Sequence, residues 1–151
     1  METGIFRLSL LSPLYYVSGE EGGPFEFKAS SDPLREQLFC FELDKSQLMS
    51  IEPDGEKLLG KLVFGAVSAT EQAAKTAAGL WELPRGNYLL VQKREILDRN
   101  KIIDLLVEVQ QEGLWQRLIP GDKAYLRYLF EDGKWVTQLL RPYTEPSATD
   151  P

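Results

Sequence analysis

Histidine is absent from all 151 residues, and cysteine occurs once, at Cys40. The first absence removes Ser-His-Asp and Cys-His catalysis, His-ligated zinc and the usual proton shuttle near neutral pH. The second rules out an intrachain disulfide. Cys40 lies between two phenylalanines in QLFCFEL, where a small buried thiol is expected rather than a nucleophile, which would need a base or a cation to form thiolate. Positive charge is also scarce. Lys and Arg number 17 against 23 Asp and Glu, for a formal charge of −6. That argues against nucleic acid, whose binders present a basic face to phosphates, and against anionic lipid. No run approaches the roughly 18 apolar residues of a membrane span. The apolar stretch after Met1 has no basic segment before it, so it reads as a first strand rather than a signal peptide. A cytoplasmic location is the expectation.

What is present is enough for one core: 43% of the chain is hydrophobic and 11% aromatic. Phe6, Leu8 and Leu10 alternate with Arg7 and Ser9, the period of a half-buried strand. Leu14 to Val17 resumes after Pro13. A loop at 18–24 precedes a short strand around Phe25 and Phe27, and a second loop at 30–33 precedes a strand over Leu38 to Leu43. Pro53-Asp54-Gly55 signals a turn, and Leu58 to Val67 a buried strand. Ser68 to Glu71 fits a capping box, opening a short Ala-rich helix over about 69–78 that Gly79 ends. Trp81 and Leu83, then Tyr88 to Val91, read as two strands joined by a turn at Pro84-Arg85-Gly86-Asn87.

A long helix is expected over about 98–112. Ile102, Ile103, Leu106, Val109 and Val107 form its apolar stripe, Gly113 ends it, and Leu114 and Trp115 fold back onto the core. The segment from Ala124 to Tyr143 reads as a hairpin around Asp132-Gly133. The expected fold is therefore α+β: a single domain over 1–143, a predominantly antiparallel sheet with one long and one short helix, and a flexible tail over 144–151.

Several groupings bear on chemistry. Asp104, Glu108 and Glu112 share one helix face, open either to a divalent cation or to solvent, and one-turn spacing is wide for a tight cage. Glu20 and Glu21 lack the alternating Asp or Asn ligands of a calcium loop, and no phosphate or dinucleotide fingerprint occurs. Aromatic residues are dense on the strands, which fits either a pocket wall or ordinary core. Arg127 is placed to hold an anion or to pair with Glu131 across the hairpin. The site residues singled out are Tyr15, Trp81, Tyr88 and Tyr128 as pocket walls, with Glu82 and Arg127 as polar orienters. No catalytic residue, metal ligand or cofactor is assigned. A hydrolase using Tyr or Glu would need two convergent polar groups, and sequence spacing supplies no such pair.

From Lys61 onward, GKLVFGAVSATE, GLWELPRGNYLLVQ and the closing AYLRYLF and LLRPY segments are arranged in a familiar order. The run Leu83-Pro84-Arg85-Gly86-Asn87-Tyr88 resembles the Pro-x-Gly-x-Tyr turn of gyrase-inhibitor-like effector-binding domains, a resemblance over roughly the last 90 residues. It implies a ligand cleft beside Tyr88. Leu126 stands where many relatives carry the acidic residue that meets a cationic ligand. The combined expectation is a non-enzymatic binding domain with an aromatic-lined cleft for a small apolar molecule. The alternative is a protein-interaction module using a sheet edge or aromatic patch.

Overall fold

The computed structural model describes residues 4–18, 36–48, 50, 52, 54–68 and 80–145. The strand expected around Phe25, the loop at 30–33, the short helix at 69–78 and all but Ser18 of the loop at 18–24 lie outside these residues. Among the described residues are nine strands and two α-helices: β1 (Ile5–Leu10), β2 (Leu14–Ser18), β3 (Gln37–Leu43), α1 (Gly55–Leu58), β4 (Leu59–Ser68), β5 (Leu80–Leu83), β6 (Gly86–Lys93), α2 (Arg99–Trp115), β7 (Ile119–Pro120), β8 (Lys123–Glu131) and β9 (Lys134–Thr144). The fold is α+β, with every strand pair antiparallel.

The main sheet runs β1-β6-β9-β8-β3-β4-β2-β5. Its two ends are chemically the same place. Only Leu11 to Pro13 separate β1 from β2, and only Pro84 and Arg85 separate β5 from β6. Leu10 pairs with Gly86 on one side of these breaks, and Leu14 pairs with Leu83 on the other. Each pair is thus one long strand with a bend in it, and the two bent strands pair along their whole length. Counted this way, six strands (β1/β2, β4, β3, β8, β9 and β5/β6) close into a small barrel, with β7 added alongside β9.

That closure corrects the expected turn at Pro84 to Asn87. The chain does not reverse there; it turns a corner and keeps its direction. Proline brings no N–H to the ladder, and one stands in each of the facing breaks, Pro13 and Pro84. Gly86, at φ 147°, adopts a backbone conformation that residues with a Cβ rarely reach.

Two apolar clusters follow from strand alternation. Tyr16, Leu38, Cys40, Leu83, Tyr88, Tyr125 and Leu140 point into the barrel. On the outer face, Phe41, Leu89, Val91, Ala124, Leu126, Tyr128 and Leu139 pack beneath the buried stripe of α2. Asp98 starts that helix, its side chain accepting from the Lys101 N–H at 2.9 Å, which satisfies one orphan amide.

The helix does not stop at Gly113. Gly113 is buried within it, against Leu89, and the turn comes at Arg117, which takes the left-handed position at φ 60°. The Leu118 N–H then closes onto the Gly113 carbonyl at 2.8 Å, the six-to-one bond of a Schellman end. Trp115 consequently lies about 200° around the helix from Gly113 and faces solvent at 85% exposure, not the core. At Pro53-Asp54-Gly55, Asp54 caps α1 through the Glu56 N–H. The Asp132-Gly133 hairpin forms as expected, both residues at positive φ. Strand β9 continues to Thr144, which pairs with Ile119, and Glu145 meets Arg7 at 3.1 Å.

Candidate functional site

Inside the barrel, the strands deliver side chains rather than space. Tyr88 and Tyr125 meet edge to face, ring centroids 6.2 Å apart, and the Tyr88 hydroxyl donates to the Pro84 carbonyl at the corner. Burial pushes the Tyr88 phenol up to about 12, with Glu82 adding to the rise, and it raises Tyr125 further. Cys40 shares this layer. Burial lifts its thiol to about 11 despite Lys123 pulling the other way, so at neutral pH it is a packed thiol and not a nucleophile.

One layer further along the strands, the interior becomes polar. Arg127 on β8 reaches across to β2, its Nε donating to the Tyr16 hydroxyl at 3.1 Å. Three strand steps separate β8 from β2 along the sheet, through β3 and β4, so the bond spans the barrel from wall to opposite wall. One terminal nitrogen of Arg127 donates to Gln138 at 2.9 Å and the other to Glu36 at 2.6 Å. Tyr16 also donates to Glu36, at 3.0 Å, and Gln138 donates to Gln92 at 2.6 Å. Desolvation works against the guanidinium charge, but Tyr16 and Glu36 outweigh it and leave Arg127 held above its ordinary value. The Tyr16 phenol rises to about 12, burial again being the main cause.

These contacts settle the partner of Arg127: it is Glu36, not Glu131. The six residues singled out from the sequence do not meet in one concavity. Tyr88 and Arg127 lie inside the barrel, while Tyr128 is on the opposite face of the wall, under α2 and edge to face with Phe39 at 6.0 Å. Tyr15 and Glu82 pair across β2 and β5 and are both exposed. Trp81 belongs to β5, where its backbone pairs with Tyr16.

Outside the barrel, the loop before α2 is anchored by Thr137, which donates to the Glu95 carbonyl at 2.6 Å and accepts from the Leu97 N–H. Between this loop and α2 is an open cleft of about 520 Å³, lined by Lys93, Arg94, Glu95, Lys101, Asp104 and Glu108 among others. Asp104 and Glu108 thus sit among cations, whereas Glu112 turns away to Gln116. Among the described residues, no three His, Cys, Asp or Glu side chains are grouped to hold a metal ion.

At the far end of α2, Trp115 stands clear of the surface and Ile119 follows it, half exposed. The surroundings are polar. Arg7 donates twice to Gln116 at 2.9 and 2.7 Å, and Gln116 donates to Glu112.

Glu36, Gln138 and Arg141 were not singled out from the sequence, and Trp115 was expected in the core. Glu36 and Gln138 complete the Arg127 network; the signal was an arginine at an inward strand position, which demands an internal acceptor. Trp115 was misplaced only because Gly113 was taken as a stop. Arg141 gave no signal, since arginine near the end of a strand is ordinarily solvated. Comparison with protein-family models and with curated protein sequences finds no match to this chain.

Proposed function

We propose that this chain is a non-enzymatic binding domain that engages a protein partner through the surface around Trp115. The exposure of Trp115 carries this reading. A tryptophan at 85% exposure, followed in the chain by half-exposed Ile119 and by Gln116, which links Arg7 to Glu112, has the composition of an interface hot spot: an aromatic anchor near polar side chains. Leaving an indole in water forgoes roughly 2 kcal/mol of burial, which a partner recovers. The barrel interior is filled by its own tyrosines and leucines, which favours an outward role over an internal chamber for an apolar ligand. The absence of histidine and the unreactive state of Cys40 favour binding over catalysis.

The test is affinity capture with the wild type and Trp115→Ser side by side. Truncating an anchor of this kind costs about 2 kcal/mol or more of binding, at least about 30-fold in Kd. A protein retained by the wild type and lost from the variant, with thermal stability unchanged, is the expected result. Identical retained sets would refute the assignment.

A further inference from the structure

We propose that Arg141 holds a small monovalent anion, chloride or an ion of its size, in the apolar layer between the sheet and α2. The site is separate from the Trp115 surface and does not depend on it.

Leu139, Arg141 and Tyr143 alternate onto one face of β9, and the two that flank the arginine belong to the apolar layer beneath α2. Arg141 pairs across the sheet with Leu89, and Gly113 of α2 lies against Leu89, so this position falls beneath the C-terminal half of the helix. Arg141 is enclosed there, at 1% exposure. Its Nε donates to the Gly121 carbonyl at 3.0 Å, but both terminal nitrogens are buried and have no partner among the described residues. Asp122 is near enough for its charge to be felt, yet it bonds neither terminal nitrogen.

A buried charge is ordinarily paired, and a buried polar group left without a partner points to an ion or a water in its place. Water would accept the hydrogen bonds and leave the charge uncompensated. An anion supplies acceptors and countercharge together, which is what a guanidinium in an apolar layer lacks. With Nε pinned on Gly121, the terminal nitrogens present a planar fork of N–H donors in a fixed orientation. In the open, such a fork takes carboxylate or phosphate as well. Enclosed in a packed layer, it selects for a small anion. Arg127 makes the contrast, since all three of its nitrogens find acceptors within the chain.

The experiment follows thermal unfolding of the full chain while potassium chloride replaces potassium gluconate at constant ionic strength. Gluconate screens charge equally but is too bulky for an enclosed site. The wild type should gain stability saturably, by roughly 3–6 °C at tenfold over Kd, and Arg141→Met should gain nothing. Without chloride the variant should match or exceed the wild type, because the lone buried charge is gone; with chloride it should fall behind. Binding is read directly from the chloride resonance, which the wild type should broaden and Arg141→Met should not. Equal chloride responses of wild type and variant, or a wild type that does not respond to chloride beyond gluconate, would overturn the proposal, the second outcome leaving water as the occupant. Should Arg141→Met not fold, Arg141→Gln, which also removes the charge, is judged by the same criteria.

Discussion

Two arginines on neighbouring strands, Arg127 part-buried and Arg141 fully buried, face opposite energetic situations. Arg127 has an acceptor for Nε and for each terminal nitrogen, one of them a carboxylate. Arg141 is 1% exposed, and its Nε donates to the Gly121 carbonyl at 3.0 Å, but neither terminal nitrogen has a partner among the described residues. Burial holds its guanidinium down to about 10, with Asp122 only partly offsetting the cost. An uncompensated buried charge is expensive, and replacing it with a hydrophobe of similar length is often neutral or stabilising. Arg127→Met should therefore cost about 2 kcal/mol, since it takes the cation from Glu36 and a donor from Gln138. Arg141→Met should cost less than about 1 kcal/mol or stabilise. Urea unfolding of the two variants checks the contrast, and equal losses would contradict it. Cys40 supplies a second prediction at this scale. Its buried, raised thiol should react with an aromatic disulfide reagent only at the rate of unfolding, whereas rapid reaction of the native protein would show an open barrel wall.

At the scale of elements, most of the individual strands were legible because alternation is local. Phe6, Leu8 and Leu10 reveal β1, and Asp132-Gly133 reveals the β8–β9 hairpin without reference to the rest of the chain. Pairing is not local. Leu83 and Gly86 flank what reads as a turn, and only the shared partner β1/β2 makes it a corner. The same limit hid the site: Tyr16 and Arg127 are 111 positions apart, and no periodicity links them. The end of α2 was misjudged for a different reason. Gly113 is where the helix lies close against Leu89, and a glycine used for close packing looks the same in sequence as one used as a stop.

Gly60 is a second close approach. The β3–β4 register shifts between Cys40 and Phe41 and again between Glu42 and Leu43, and a Cβ at Gly60 would collide with the Glu42 backbone carbonyl. Gly60→Ala should destabilise by about 2 kcal/mol or more, because backbone on one side must move. Asp98→Ala should cost about 1 kcal/mol through the lost cap. Denaturant midpoints for both test the ranking, and a Gly60→Ala protein as stable as the wild type would contradict the register.

For the molecule as a whole, the buried phenols determine the alkaline limit. Tyr16 and Tyr88 are pushed up to about 12, and Tyr125 and Tyr128 are also raised, all chiefly by burial. An unfolded phenol ionises near 10, so the folded state retains protons that the unfolded chain releases. This stabilisation is complete below about pH 10 and is lost as pH rises through about 12. Arg141 acts in the reverse sense, its burial cost being relieved above about 10, but one guanidinium opposes four phenols. Urea midpoints should fall steeply from about pH 10 upward, with phenolate absorbance appearing together with unfolding. Phenolate formation well before unfolding would contradict the burial of these rings.

Closure of the barrel fills the interior with its own side chains and brings Arg127 against Tyr16. Along an open sheet, β2 and β8 would lie three strand spacings apart, roughly 14 Å. Through a closed interior, the Arg127 Nε and the Tyr16 hydroxyl are 3.1 Å apart. The direct measurement is a nuclear Overhauser spectrum of the native protein. A cross-peak between the Arg127 side chain and the Tyr16 ring, together with backbone contacts from Leu8 to Tyr88 and from Tyr15 to Glu82, is the predicted result. The absence of the Arg127–Tyr16 cross-peak when both backbone contacts are present would contradict the closed barrel.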